Sequence, residues 1–421
     1  MESSKSSLMK KKTINYAFKK FNSYNTKEIL AANKVIKTGN LSGFIAGNEK
    51  NFYGGKYVKL FEKKIKSFFK VKYAITVNSW TSGLVCAVGA LDINPGDEIL
   101  VTPWSMCATA TSILHWNCIP VFIDIEPDMF CLDVNKIEKK ITSKTKGIIV
   151  ADIFGQSSDI FKIMKLAKKH NIKVICDSAQ AIGSKINNKF TGTISDIGGF
   201  SLNYHKHIHT GEGGIILTND KILARRMQLI RNHAEAAVTH KDKISNMIGH
   251  NFRMGEIEAA IGIEQLKKLS KIIKKKISDA NFLTKMLAAL PYLKTPKVRD
   301  KCSHVYYVYP LILDIKKIGF KRSYILNLLN NEGLHGFYEG YSNILKLPMY
   351  KFKKAYGNKN FPWSLVKKEN YNYDVNNFPI LKELDEQTML SFEICLFDLS
   401  KKDLKNIFLS FEKVWKKLRL I

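Results

Sequence analysis

The stretch GIIVADIFGQSSDIFKIMKLAKKHNIKVICDSAQ (147–180) decides how the chain is read. Its two apolar ends, GIIVADIF and KVICD, are nearly continuous instead of alternating, the pattern of strands buried on both faces of a sheet. Between them Ile160, Met164, Leu166 and Ala167 recur near helical spacing, and Ser158 stands where a helix cap belongs. Strand, helix and strand in that order belong to a mostly parallel sheet.

The same rhythm continues on both sides. YAITVNS (73–79), EILVTP (98–103), VFIDI (121–125), GGFSLN (198–203) and GGIILTN (213–219) are further β-rich runs separated by helix-length segments. The expected fold is α/β: a large domain over residues 1–265 with a mostly parallel, seven-stranded sheet flanked by helices. After residue 250 the texture changes. Residues 255–290 form a long amphipathic stretch interrupted only by Gly262, which reads as one long helix or two end to end. HVYYVYPLILD (304–314) reads as a strand and residues 399–418 as a closing helix, so residues 266–421 are assigned to a smaller α+β domain. Residues 341–378, rich in Tyr, Asn, Lys and Pro, read as long irregular connections.

Charge points away from nucleic acid despite its size. The net charge is +30, yet only seven of the 67 basic residues are Arg, and the lysines are spread along the whole length. Base readers use Arg forks and stacked aromatics, and no such motif is present. Seven Cys, an odd number without a C-x-x-C pair, argue for a reducing compartment. The first twenty residues lack the apolar core of a secretory signal, and no apolar run reaches membrane-spanning length. A cytoplasmic enzyme with no membrane insertion is the expectation.

Sites in an open α/β sheet lie at the carboxyl ends of strands. Four places qualify: Asn78 to Gly83 before an apolar helix, Asp177 to Gln180, Ser201 to Lys206, and the turn Gly211-Glu212-Gly213-Gly214. The first is either an anion cradle or an ordinary cap. Asp177 serves equally as a turn residue, and one Lys among 60 carries no meaning alone. His205, His207 and His209 share one face of an extended segment, but no carboxylate or Cys with metal-ligand spacing accompanies them, so no metal site is assigned.

Taken in order, these motifs resemble the DegT family of pyridoxal-phosphate sugar aminotransferases, which have the aspartate aminotransferase fold. The likeness is carried by FEKKIKSFFKVKYAITVNSWTSGL, PGDEILVTPWSMCATATSIL, VICDSAQAIGS, FSLNYHKHIHTGEGG and NFRMGEIEAAIGIEQL, within roughly residues 20–270. The resemblance implies that Lys206, five residues before GEGG, anchors the cofactor, and that Asp177 keeps the pyridine nitrogen protonated so that the ring works as an electron sink. It places Gln180 near the ring and its phenolic oxygen. It assigns the phosphate to Trp80, Thr81 and Ser201, with Asn251 reaching over from a second subunit of a homodimer. Met106 occupies the position where relatives stack an aromatic on the ring, and Trp80 stands where many carry Gly, which leaves its side chain for the phosphate turn or for substrate.

The implied reaction moves an amino group from an amino acid, glutamate foremost, to a nucleotide-linked keto sugar, in amino-sugar biosynthesis for surface polysaccharide or a glycosylated metabolite. A dehydratase of nucleotide-linked deoxy sugars is the alternative of another enzyme class; relatives of that kind carry His at the anchoring position, where this chain has Lys206. A non-catalytic cofactor-binding regulator is the third reading.

Overall fold

In the computed structural model, residues 17–47, 50–238, 247–367 and 371–421 are described. Helices α1 (Thr26–Ile36) and α2 (Lys56–Phe69) lead into β1 (Tyr73–Val77), α3 (Trp80–Gly89), β2 (Glu98–Val101), α4 (Ala108–His115) and β3 (Ile119–Phe122). Next come β4 (Thr145–Ala151), α5 (Ile160–Lys169), β5 (Lys173–Asp177), a hairpin of β6 (Lys185–Ile186) and β7 (Lys189–Phe190), β8 (Ile197–Ser201) and β9 (Gly214–Thr218). Helices α6 (Lys221–Arg231) and α7 (Ala234–Ala237) then precede the long α8 (Glu256–Leu287).

The main sheet has seven strands in the order β1-β9-β8-β5-β4-β2-β3. Six of them run in one direction, and β9 alone is reversed, antiparallel to both β8 and β1. Every residue of β2, β8 and β9 is buried, which is why their sequences are apolar runs and not alternations. The antiparallel β9 matters for the site. Gly214, its first residue, pairs with Val77 on one side and Ser201 on the other, so the GEGG turn meets the carboxyl ends of β1 and β8 on one edge. Asp177, paired with Gly199, ends β5 at that same edge.

Two local expectations need correction. Ser158 does not cap α5: the helix starts after Asp159, while the Ser158 hydroxyl and N–H both donate to buried Asp152. Of residues 304–314 only Tyr309–Leu313 is a strand, because Val305 and Tyr307 donate their N–H groups to Gly155 and Phe154 beside the main sheet.

The rest of the chain builds a second, antiparallel sheet of β10 (Leu293–Lys294), β11 (Tyr309–Leu313), β12 (Phe337–Glu339) and β13 (Met389–Phe392), in the order β10-β11-β13-β12. Around it lie α9 (Ile315–Ile318), α10 (Arg322–Asn331) and α13 (Lys401–Lys417), whereas α11 (Pro348–Lys351) and α12 (Pro379–Glu383) put Tyr350 and Leu381 into the core of the main sheet. One core gathers Leu283 and Leu287 of α8 with Leu311, Phe392 and Trp415. The other end of α8 packs Ala259, Ile263 and Leu266 with α2 and the main sheet, so a single 32-residue helix, about 48 Å long, serves both cores. The described residues of 341–378 form short turns and α11, and Tyr350, Trp363 and Tyr373 are buried in the main core beside Phe122.

A Cβ on Gly214 would fall 2.7 Å from the carbonyl of Ser79 and from the amide nitrogen of Trp80. Gly214→Ala is expected to push the start of α3 off the sheet and to lower the unfolding free energy by about 1–3 kcal/mol, read by chemical denaturation. An unchanged midpoint would show that the close approach is not required.

Candidate active site

Helix α3 begins at the carboxyl end of β1 because Ser79 caps it, its hydroxyl accepting from the Ser82 N–H at 3.1 Å. Helix geometry leaves the first N–H groups, those of Trp80 and Thr81, without intrahelical acceptors. They border a cavity of about 300 Å³ whose walls also carry Asp177, Gln180, Ser201 and Lys206. Residues from four separate runs of the sequence thus meet in one place, as the resemblance implied. Met106 lines the same cavity and is 53% exposed, its sulfur accepting from the Ala108 N–H.

Asp177 is buried, and both carboxylate oxygens are engaged. The Trp80 indole N–H donates to Oδ1 at 2.7 Å and the Thr109 hydroxyl to Oδ2 at 2.6 Å. Trp80 therefore turns inward to the carboxylate, which neither of the two placements read from sequence gave it. Gln180 is fixed twice: its carbonyl accepts from the Phe154 N–H and its amide donates to the Tyr341 hydroxyl, each at 2.8 Å. Phe154 reaches Gln180 from a left-handed backbone (φ 59°), a conformation costly for a bulky residue and often found where a site dictates geometry.

Lys206 closes the cavity opposite. Burial pushes its ammonium down to about 8, against the opposing pull of Cys395, Asp177 and Glu393. Its Nζ lies 4.0 Å from the centroid of the Tyr307 ring. The neighbouring His205 is held down to about 4 by burial and by the charge of Lys206, so it adds no cation at neutral pH. His207 is buried and donates to the Val305 carbonyl, a structural bond, and no cluster of metal-binding side chains exists among the described residues. Asn251 lies elsewhere: it is exposed, bridges Asn232 in the loop before α8, and accepts from Arg253 at 2.7 Å.

Thr109, Tyr307 and Tyr341 were not singled out from sequence. Tyr307 was hidden in a run that reads as a strand, and Tyr341 opens the irregular segment. Burial raises the hydroxyl pKa of both tyrosines, which keeps them neutral donors facing the cavity.

The arrangement, a nucleophilic amine of lowered basicity facing a carboxylate beside a helix start, is chemically suited to an aldehyde cofactor with a phosphate and a pyridine nitrogen. Comparison with known proteins agrees. The model of the DegT/DnrJ/EryC1/StrS aminotransferase family matches residues 45–390. GDP-perosamine synthase of Vibrio cholerae is 33% identical over 300 residues, covering 70% of this chain and 80% of its own. The UDP-4-amino-4,6-dideoxy-N-acetyl-beta-L-altrosamine transaminase of Helicobacter pylori is 34% identical over 291 residues, covering 68% and 76%. Among solved structures, an aminotransferase from Psychrobacter cryohalolentis superposes with a TM-score of 0.80 at 26% identity, covering 96% of this chain and 100% of that one. The fold and the site define a pyridoxal-phosphate-dependent aminotransferase. The chain belongs to the DegT/DnrJ/EryC1/StrS aminotransferase family.

Because a neutral amine is the attacking form, covalent uptake of pyridoxal phosphate by cofactor-free protein is expected to quicken as pH rises and to level off above about 8. Stopped-flow absorbance checks this. A rate still climbing toward the ordinary lysine range would mean that burial does not lower Lys206.

Proposed function

We propose that the enzyme transfers an amino group from an amino acid, glutamate foremost, to a nucleotide-linked keto sugar, with Lys206 as anchor and proton carrier. The observation that carries this reading is the buried Lys206 amine in the cavity that Asp177 and the start of α3 also line. The sugar-nucleotide acceptor is supported by the two relatives above, a GDP-perosamine synthase and a transaminase named for a UDP-linked amino sugar. The product would be an amino sugar for surface polysaccharide or a glycosylated metabolite.

Bound pyridoxal phosphate supplies an electron sink for the bonds at the substrate Cα. The N–H groups of Trp80 and Thr81 and the hydroxyl of Ser201 would hold its phosphate, Asp177 its ring nitrogen, Gln180 the side of its phenolic oxygen, and Met106 one ring face. The Lys206 amine would accept and hold the proton that leaves the donor Cα, which its lowered basicity permits near neutral pH. Lys206 also separates this reading from a dehydratase, for which His at this position is the expectation.

A homodimer with shared sites is part of the proposal. Asn251 does not line the cavity of its own chain, and Ile29, Leu30, Ile36, Leu41 and Ile45 leave apolar surface exposed along α1 and the loop after it. The cytoplasm is the proposed location; seven free cysteines support it. No helix among the described residues is long and apolar enough to cross a membrane.

Two experiments test the proposal. Borohydride treatment of the loaded enzyme followed by peptide mapping is expected to leave the cofactor on Lys206, and label on another lysine would reject the anchor. Mixing inactive Lys206→Ala and Asn251→Ala proteins is expected to restore activity above either parent, since a hybrid dimer holds one unmutated site. Verified hybrids without gain would return Asn251 to a structural role in its own chain.

A further inference from the structure

Trp80 is the first residue of α3 and only 4% exposed. Its indole lies in a slot that two glycines leave open. A Cβ on Gly199 would fall 2.0 Å from the indole Cζ3, and one on Gly83 would fall 2.6 Å from Cε3. Gly199 sits on β8 and pairs with Asp177 on β5, so the slot opens toward the carboxylate. At the end of the slot the indole N–H meets Oδ1 of Asp177.

From this we infer that Trp80 is a positioning residue for Asp177: its indole N–H fixes the plane of the carboxylate that faces the cofactor's ring nitrogen. The inference rests on the reading of Asp177 given above. An indole N–H only donates and cannot rotate into another role, unlike a hydroxyl. With Thr109 donating to Oδ2 and the Ala179 N–H lying 3.3 Å from Oδ1, the carboxylate has no freedom to turn about its last bond. The lone pair left over is then aimed by the fold and not by the cofactor. A ring nitrogen arriving there meets a preorganised partner, which favours binding by sparing the cost of ordering the side chain. Gly83 and Gly199 serve the same end, since any side chain there would displace the indole.

The test is a double-mutant cycle read as cofactor affinity of cofactor-free protein, followed by absorbance and tryptophan quenching, with thermal midpoints recorded alongside. Trp80→Phe keeps an aromatic ring in the slot and removes the N–H. It is expected to weaken pyridoxal phosphate binding about tenfold, as loss of one hydrogen bond to a charged group would. In an Asp177→Ala background the same replacement is expected to change affinity less than about twofold, because the bond it removes is already gone. Equal effects in the two backgrounds, or none in the first, would make Trp80 a packing residue and overturn the inference. Should Trp80→Phe fail to fold, benzothienylalanine at position 80, which keeps the indole shape and lacks the N–H, replaces it with the same expected outcomes. Asp177→Ala alone separates the two claims: if it leaves affinity unchanged, the reading of Asp177 itself fails.

Discussion

A carboxylate withdrawn from water at the end of a buried strand has to be met by donors, and meeting that demand organises this site. Asp177 ends β5 near the middle of the sheet. Its side-chain donors come from two different helices, Trp80 of α3 and Thr109 of α4. Satisfying one buried charge therefore ties the starts of both helices to the central strand. Those helix starts are also where free N–H groups collect, so the carboxylate and those N–H groups are fixed relative to each other by the same bonds, as the proposed ring-nitrogen and phosphate roles require.

The buried amine follows from the other half of the same edge. Lys206 leaves the end of β8 and is held between the main sheet and Tyr307, which reaches it from the segment preceding β11. Burial there lowers its basicity, while Asp177 and Glu393 offset part of the effect. Acid and base are thereby kept distinct: a carboxylate held by donors on one wall and an amine that gives up its proton near neutrality on the other.

Much of this was legible in the sequence. The seven strands of the main sheet announce themselves because they are buried on both faces, and Lys206, Asp177, Gln180 and Ser201 stand at or after strand ends, where a parallel sheet places its chemistry. What was not legible depends on contacts between distant segments. Ser158 looks like a cap because its position before a helix is right, but buried Asp152 takes both its donors. Residues 304–308 are as β-prone as the strand that follows, yet they bond to the loop at Phe154. Trp80 looks like an obstruction in a phosphate turn until Gly83 and Gly199, the latter more than a hundred residues away in sequence, are seen to make room for it. Tyr341 gives no local signal at all; its bond to Gln180 and its ring contacts with Phe154 and Trp104 bring it to the cavity.

The proposed role of the Asp177 carboxylate is chemical and goes beyond finishing a strand. The most direct measurement is the single-turnover reaction of cofactor-loaded Asp177→Asn with amino-acid donors, followed by cofactor absorbance, on protein shown by circular dichroism to be folded. A chemical role lowers the rate by at least about a hundredfold, because the amide cannot keep the ring nitrogen protonated. A rate within a few-fold of the unmutated enzyme, with only a loss of stability of about 0.5–2 kcal/mol such as a lost cap would give, would contradict it.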